Sequence, residues 1–241
     1  MQEAGFRAAG LAWSYRLLDV APDQLAEAVE RLRGDEWAGA NVTIPHKLAV
    51  VPFLDVVDEE THRLGAVNCI QRQGTSLVGS NTDVDGIRAA LLEVGIADTN
   101  GLEVVILGVG GSARACAAAL PGSNITWVSR RDLPPPAAGR LLRWSEPQWR
   151  EVTRSADLLL NATPIGRAHD MPCAIEDLPA AGAVIDLVYA SPTTPLAAAA
   201  RAAGRPAADG WTVLLGQGAA SFTAWTGLPA PLEAMRAALP A

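Results

Sequence analysis

The sequence predicts an α/β fold, in one large domain or two small ones, and three observations support this. Segments typical of strands and of helices alternate along most of the chain, as in proteins with a mostly parallel sheet. The stretch 101–120 combines a buried strand, a glycine-rich turn and a helix of small residues. With 241 residues, 49% of them hydrophobic and 19% charged, the chain can bury a sizeable core.

The glycine-rich turn is the strongest local signal. Val104–Leu107 is an unbroken apolar run, as expected of a strand buried on both faces. Gly108, Gly110 and Gly111 follow it, and Ala113–Leu120 predicts a helix. Strand, glycine turn and helix in this order favour a dinucleotide site, with phosphates held at the start of the helix. The alternative interpretation is a structural connection between strand and helix.

Upstream of this turn, apolar spacing and breaker residues predict nine elements. Pro22 suits a first helical turn, Pro45 ends a strand, Gln73–Gly74 is typical of a turn between strands, and Gly95 stops a helix. The predicted helices are Met1–Ala9, Asp23–Leu32, His46–Leu54, Asp58–Leu64 and Asp83–Glu93, and the predicted strands are Trp13–Val20, Gly39–Ile44, Ala66–Arg72 and Ser76–Ser80.

Downstream, a second α/β unit begins at Gly101. Its predicted strands are Val104–Leu107, Ile125–Val128, Leu158–Asn161 and Val184–Val188, and its last helices are Val213–Trp225 and Leu232–Leu239. The prolines within Asp132–Gly139 leave little room for a crossover helix after the second strand, since such a connection takes about a dozen residues or more. The conformation of residues 129–145 stays open.

Composition excludes several classes of function. A net charge of −7 gives no overall attraction to nucleic acid or to an anionic membrane. No apolar run reaches about 18 residues, and the N-terminus lacks the pattern of a secretory signal. The three cysteines are widely spread, which favours reduced thiols in the cytoplasm. The three histidines are scattered as well, so we expect no metal site.

One basic residue differs from all the others. Lys47 is the only lysine of the chain, and every other basic side chain is arginine. A bias toward arginine explains most of this pattern. Arginine cannot release its proton near neutral pH, however, whereas lysine can where its surroundings favour it. Lys47 is therefore a candidate proton-transfer residue.

The end of the second strand of this unit indicates which cofactor is used. Dinucleotide folds often carry a carboxylate there for the ribose 2′-hydroxyl, or an arginine for a 2′-phosphate. Here the strand ends in Ser129, Arg130 and Arg131, with no carboxylate. We therefore expect NADP rather than NAD, the alternative being two solvated surface arginines.

Four polar clusters interrupt the apolar pattern at the ends of elements, where α/β sites usually lie. They are Asn41–Lys47, Gly65–Asn68, Asn81–Asp83 and Gly216–Gly218. Taken singly, each has a plain structural explanation, such as a helix cap or a surface side chain.

Taken together, the motifs NVTIPHK, GAVN, GSNTDVDG, LGVGGSARA, NATPIG, IDLVY and DGWTVLLGQGAASF resemble the shikimate dehydrogenases. The resemblance covers most of the chain. It implies a substrate domain of residues 1–83 plus 211–241, completed by returning C-terminal helices, and a Rossmann-type NADP domain of residues 84–210. It also implies reversible reduction of 3-dehydroshikimate to shikimate by NADPH, in a monomer or homodimer that acts on small molecules.

The resemblance also implies site residues. Lys47 and Asp83 match the catalytic pair, in which Lys47 exchanges a proton with the reacting oxygen and Asp83 orients it. The substrate positions are Asn41, Thr43, Lys47, Asn68, Asp83, Tyr189 and Gln217. The cofactor positions are Gly108, Val109, Gly110, Gly111, Ser112, Ser129, Arg130, Arg131, Asn161, Thr163, Leu187, Gly210 and Glu59.

The sequence departs from the family pattern at several places. A first strand and a Ser-x-Ser pair for the substrate carboxylate are expected to be missing, which leaves a sheet edge unpaired. Cys69 replaces the usual threonine, and Arg167 follows NATPIG where methionine is commoner. Two alternatives stay open: a quinate/shikimate dehydrogenase with looser cofactor use, and a non-catalytic relative that binds nucleotide or shikimate.

Overall fold

A computed structural model describes residues 1–130, 132–168, 170–190 and 192–240. The chain divides into two compact units, and each contains a sheet with helices. The first unit consists of Met1–Asp85 and Leu215–Leu239, and the second of Gly86–Leu214 together with Pro240. The predicted α/β fold class is confirmed.

The first unit contains a small mixed sheet. Its described strands are β1 (Gly39–Asn41), β2 (Val56–Val57), β3 (Cys69–Gln73) and β4 (Ser76–Ser80), in the spatial order β1-β3-β4-β2. β3 pairs antiparallel with both β1 and β4, whereas β2 runs parallel to β4. β1 therefore forms one edge of this sheet.

Helices pack around this sheet and form two clusters of buried side chains. The helices are α1 (Gln2–Ala8), α2 (Leu25–Arg31), α3 (His46–Ala49), α4 (Glu59–Leu64), α10 (Leu232–Ala237) and, from Leu215 onward, α9 (Gly210–Thr226). α5 (Asp83–Glu93) begins in this unit, and its residues from Gly86 onward belong to the second unit. The spacing of Leu25, Val29 and Leu32 places one apolar face of α2 against Ile70 of β3. A separate cluster joins Phe6 of α1 to helices α9 and α10.

The second unit is built on a six-stranded parallel sheet. Its order is β10-β9-β8-β5-β6-β7, and every described pairing in it is parallel. The strands are β5 (Glu103–Leu107), β6 (Asn124–Ser129), β7 (Arg140–Arg143), β8 (Leu158–Asn161), β9 (Ala183–Asp186) and β10 (Ala207–Ala208). All four residues of β8 are buried, which explains the unbroken apolar run in its sequence.

Three further helices belong to this unit: α6 (Gly111–Ala118), α7 (Gln148–Arg154) and α8 (Pro195–Ala202). Thr194 caps α8 by accepting a hydrogen bond from the backbone of Ala197 at 3.3 Å, and Pro195 occupies the first turn. Trp149 of α7 is buried, and its cluster includes Val105 of β5 and Leu159 of β8.

The predicted strand Trp13–Val20 is wrong. Within the described residues, the backbone of 12–20 forms no hydrogen bond with another backbone group. A cavity of about 760 Å³ is lined by this segment and by β1, so the segment does not pair with that edge. Residues 12–20 are attached by side chains instead, such as Tyr15.

Two other predicted elements need correction. The predicted helix His46–Leu54 is shorter and broken, because α3 ends at Ala49 and Val51–Phe53 is a separate 3-10 turn that contains Pro52. The stretch after β6 contains no helix among its described residues, but it leads into strand β7, which the sequence analysis did not predict. β7 pairs with β6 directly, in the register Ser129↔Arg143.

Candidate active site

Lys47 and Asp83 form an ion pair in the first unit. Lys47 lies on α3 and Asp83 is the first residue of α5. The distance from Lys47 Nζ to Asp83 Oδ2 is 2.5 Å, and each side chain is 27% exposed. Because Asp83 stands in the first turn of a helix, the helix dipole favours its negative charge. The pair is therefore aligned and partly exposed to solvent.

Asn68 holds the other oxygen of this carboxylate. Its Nδ2 donates to Asp83 Oδ1 at 2.7 Å, and its Oδ1 accepts from the backbone N–H of Thr82 at 2.7 Å. The backbone N–H of Asp83 donates to the side chain of Asn81 at 3.1 Å. The GAVN and SNTD motifs thus meet in one network that fixes the carboxylate.

Asn41 extends the same network toward the cavity. Its Nδ2 donates to Ser221 Oγ at 2.9 Å and to the backbone carbonyl of Asn68 at 3.2 Å. Its Oδ1 accepts from the hydroxyl of Tyr15 at 3.0 Å. The structure therefore brings four of the predicted substrate residues together: Asn41, Lys47, Asn68 and Asp83.

The other predicted substrate residues lie elsewhere. Thr43 is exposed and lines the cavity of about 760 Å³. Gln217 lies on α9 in the first unit, and its backbone carbonyl accepts from Ser221 Oγ at 3.0 Å. Tyr189 belongs to the second unit, is 52% exposed and packs against Trp211 with ring centroids 5.1 Å apart. Among the described residues of the first unit, Thr43 has no side-chain hydrogen bond to the Lys47–Asp83 network.

The glycine turn has the properties that a dinucleotide requires. Gly108 has φ +102°, and a Cβ there would lie 3.1 Å from the backbone oxygen of Ala162. Gly110 caps α6 without a side-chain hydrogen bond, so the first N–H groups of the helix have no side-chain acceptor from the cap. A Cβ on Gly110 or Gly111 would meet nothing within 4 Å. Val109 and Ser112 complete this open turn, which fits the pyrophosphate of NADP.

Ser129 ends β6, and Arg130 follows it directly. Ser129 is buried, and the guanidinium of Arg130 lies over the ring of Trp144, 4.7 Å from its centroid. Arg131 lies outside the described residues. The sequence analysis missed Arg143, which stands beside Ser129 on β7 and is paired with Asp132. Without β7 in the predicted fold, nothing in the sequence indicated this position.

Asn161, which is buried, and Thr163, which is partly exposed, form a hydrogen-bonded turn at the end of β8. Asn161 Nδ2 donates to Asp186 Oδ1 at 2.8 Å, and Thr163 Oγ1 donates to Asn161 Oδ1 at 2.6 Å. Asp186 is fully buried, and this burial raises the pKa of its carboxyl group. Asn161 therefore shapes the loop after β8, and Asp186 was not among the predicted residues.

The remaining cofactor residues are spread over both units. The backbone N–H of Leu187 donates to Asn161 at 3.0 Å, and that of Gly210 donates to Val188 at 3.1 Å. A Cβ on Gly210 would lie 2.7 Å from the backbone oxygen of Leu187. Glu59 belongs to the first unit, where it is exposed and pairs with Arg63 at 3.4 Å.

The described residues contain no group of three or more histidine, cysteine or acidic side chains arranged to hold a metal ion. They also contain no helix with the length and apolar character needed to span a membrane.

Comparisons with known proteins agree over almost the whole chain. Residues 1–70 match the shikimate dehydrogenase substrate binding domain, and residues 210–239 match the shikimate 5′-dehydrogenase C-terminal domain. A shikimate dehydrogenase (NADP(+)) of Moorella thermoacetica is 38% identical, over 98% of this chain and 85% of the relative.

Two solved structures are similar as well. The shikimate 5-dehydrogenase of Thermus thermophilus, in complex with NADP(H) and shikimate, aligns with a TM-score of 0.83 and 32% identity, over 98% of this chain and 90% of the other. The ligand-free 5-ketofructose reductase of Gluconobacter sp. strain CHM43 aligns with a TM-score of 0.85 and 34% identity, over the same shares of the two chains.

Proposed function

Because this chain belongs to the shikimate dehydrogenase family, we propose that its Lys47–Asp83 pair is the catalytic centre of an NADP-dependent shikimate dehydrogenase. The reaction is the reversible reduction of 3-dehydroshikimate to shikimate, a step of the shikimate pathway that leads to chorismate and the aromatic amino acids. The observation that supports the proposed pair is the 2.5 Å contact between Lys47 Nζ and Asp83 Oδ2.

Lys47 exchanges the proton. When the hydroxyl group of shikimate is oxidised, its oxygen loses a proton, and in the reverse direction the carbonyl oxygen gains one. The Lys47 ammonium group is a compact donor on a flexible stem, suited to deliver and recover that proton. Asp83 keeps the ammonium group in place, and Asn68 keeps Asp83 in place. The bound cofactor would provide the hydride chemistry: NADPH would supply the hydride for the reduction, and NADP⁺ would accept it in the reverse direction.

The second unit carries all of the proposed NADP-binding residues except Glu59. The glycine turn at Gly108–Ser112 offers open backbone N–H groups to the pyrophosphate. Arg130 supplies a guanidinium group for the 2′-phosphate, where charge-assisted hydrogen bonds discriminate NADP from NAD. These positions support a NADP domain of residues 84–210, and we propose residues 1–83 plus 211–241 as the substrate domain.

The proposed location is the cytoplasm, and the proposed assembly is a monomer or homodimer. The three cysteines are buried within the described part of the chain, as expected of structural cysteines in a reducing compartment. Size-exclusion chromatography with light scattering separates monomer from dimer directly, and a larger assembly would contradict the proposal.

The test is NADPH formation from shikimate by the purified chain, with parallel reactions on quinate and with NAD. We expect turnover of shikimate with NADP and much slower turnover with NAD. Comparable rates on quinate and with NAD would favour a quinate/shikimate dehydrogenase instead. Binding of NADP without turnover of either substrate would favour a non-catalytic relative, although the intact Lys47–Asp83 pair argues against it.

Because one structural neighbour is a 5-ketofructose reductase, 5-ketofructose with NADPH is the control substrate. Reduction of 5-ketofructose in place of 3-dehydroshikimate would overturn the proposed substrate but leave the dehydrogenase class intact.

A further inference from the structure

Ser221 occupies a central position in the buried polar network of the first unit. It lies on α9 and is completely buried. Its hydroxyl donates to the backbone carbonyl of Gln217 at 3.0 Å, and it accepts from Asn41 Nδ2 at 2.9 Å and from Thr82 Oγ1 at 3.1 Å. Ser221 therefore connects Asn41 of β1 to Thr82, the residue that precedes Asp83.

The orientations of both amides in this network are determined by backbone groups. Asn41 Nδ2 faces the carbonyl of Asn68 at 3.2 Å, and a carbonyl can only accept. Asn68 Oδ1 faces the backbone N–H of Thr82 at 2.7 Å, and an N–H can only donate. Asn68 Nδ2 must then be the group that donates to Asp83 Oδ1.

Thr82 connects Ser221 to the side-chain amide of Asn68. Thr82 Oγ1 lies 3.2 Å from Asn68 Oδ1 and 3.1 Å from Ser221 Oγ. Because the single Ser221 hydrogen goes to the Gln217 carbonyl, Thr82 Oγ1 is the donor to Ser221 Oγ. The path to the Asp83 carboxylate then continues from the backbone N–H of Thr82 to Asn68 Oδ1 at 2.7 Å, and from Asn68 Nδ2 to Asp83 Oδ1. Ser221, Thr82 and Asn68 are all buried, so water does not readily replace a lost partner.

We propose that Ser221 is a positioning residue for the Lys47–Asp83 pair. Its hydroxyl holds Thr82, Thr82 holds the amide of Asn68, and Asn68 keeps the Asp83 carboxylate aligned with the Lys47 ammonium group. The inference rests on the proposed function for its effect on turnover. It does not depend on that function for its effect on Lys47 itself.

The first test uses a matched pair of variants at Thr82 together with Ser221→Ala. Thr82→Val keeps the shape of the side chain and removes the hydroxyl, whereas Thr82→Ser keeps the hydroxyl. We expect Ser221→Ala and Thr82→Val to lower kcat roughly three- to tenfold, with the KM for NADP unchanged. Thr82→Ser should retain most of the kcat of the unmodified chain. Thermal unfolding verifies that each variant is folded. An unchanged kcat in folded Ser221→Ala and Thr82→Val overturns the inference.

The second test uses the fact that Lys47 is the only lysine of the chain. An amine-reactive acylating reagent therefore modifies one ε-amino group, and the α-amino group of the same chain serves as the internal reference. Ion pairing with Asp83 slows the reaction at Lys47. We expect Ser221→Ala to speed labelling of Lys47 several-fold relative to the reference, and Lys47→Arg supplies the blank.

The two readouts separate the two proposals. If the unmodified chain does not turn over shikimate, the proposed function fails, and the labelling rate still decides the role of Ser221. If the unmodified chain is active but Ser221→Ala changes neither kcat nor the labelling of Lys47, Ser221 only fills space and the positioning role is wrong.

Discussion

Replacing Lys47 with arginine separates two roles that this side chain can have. Arginine keeps the positive charge and can still pair with Asp83, but its guanidinium group does not release a proton near neutral pH. If Lys47 acts only as a charge that binds substrate, Lys47→Arg retains most of the turnover. If Lys47 transfers the proton, as we propose, the variant loses turnover although its ion pair is kept.

The size of the effect follows from the geometry of the pair. General acid–base catalysis contributes about 10²- to 10⁴-fold, equivalent to about 3–5 kcal/mol in the activation barrier. Both side chains are 27% exposed, and an ion pair with this much solvent contributes at most about 1 kcal/mol to folding. The variant should therefore remain folded while kcat falls at least 100-fold.

The assay follows NADPH by absorbance at saturating shikimate and NADP, for the unmodified chain, Lys47→Arg and Lys47→Ala. We expect both variants to be similarly slow and to unfold within a few degrees of the unmodified protein. Retention of a third or more of kcat by Lys47→Arg would refute the proton-transfer role. It would leave Lys47 as an electrostatic binding residue.

Three other predictions concern the second unit. Arg130→Ala should raise the KM for NADP about 10- to 100-fold and leave that for NAD unchanged, because a hydrogen bond to a charged group contributes about 1.5–3 kcal/mol; equal effects on both cofactors would contradict this. Gly108→Ala should destabilise the fold by about 1–3 kcal/mol and weaken NADP binding, since the backbone has φ +102° and the new Cβ would lie 3.1 Å from Ala162. Calorimetric titration with NADP and thermal unfolding would test both effects. For Asp186→Asn, the pH dependence of unfolding is the readout. Burial raises the pKa of this carboxyl group in the folded protein above its ordinary value of 3.8. Its favourable contribution to the free energy of unfolding is therefore complete below pH 3.8 and is lost as the pH rises through the pKa in the folded protein. Urea denaturation midpoints measured over a pH series should fall with rising pH in the unmodified protein but not in Asp186→Asn. Parallel midpoint curves for the two proteins would contradict this role of Asp186.

Elements with local causes could be predicted from the sequence. The strand, glycine turn and helix of residues 104–118 depend on an apolar run and on glycines close in the chain, and the structure has β5 and α6 there. Trp13–Val20 is also rich in apolar side chains. A strand needs a neighbour with which to pair, however, and the apolar pattern does not show whether one is present. β7 was missed because Pro134–Pro136 indicated a loop, although the loop ends before the strand begins at Arg140.

In the candidate site, too, residues with a local signal in the sequence could be predicted, and residues whose partners are distant in the chain could not. The composition of the chain alone indicated Lys47, because it is the only lysine. The family resemblance added Asp83 and Asn68, and in the structure both Lys47 and Asn68 donate hydrogen bonds to Asp83. Ser221 gave no signal, because a serine among alanines in a helix is ordinary. Its interest arises from partners 180 and 139 residues away in the chain, which only the fold brings near.

Residues 12–20 can unfold locally while the rest of the first unit stays folded. Side chains attach this segment: Tyr15 donates to Asn41, and Arg16 lies over Trp37, 5.5 Å from its centroid. Since none of its amides is bonded to another backbone group of the described chain, the segment can detach while the sheet stays intact. A protease would therefore cut here before it reached β3 or β4, and the nicked protein would keep its strands while Asn41 lost the hydroxyl of Tyr15.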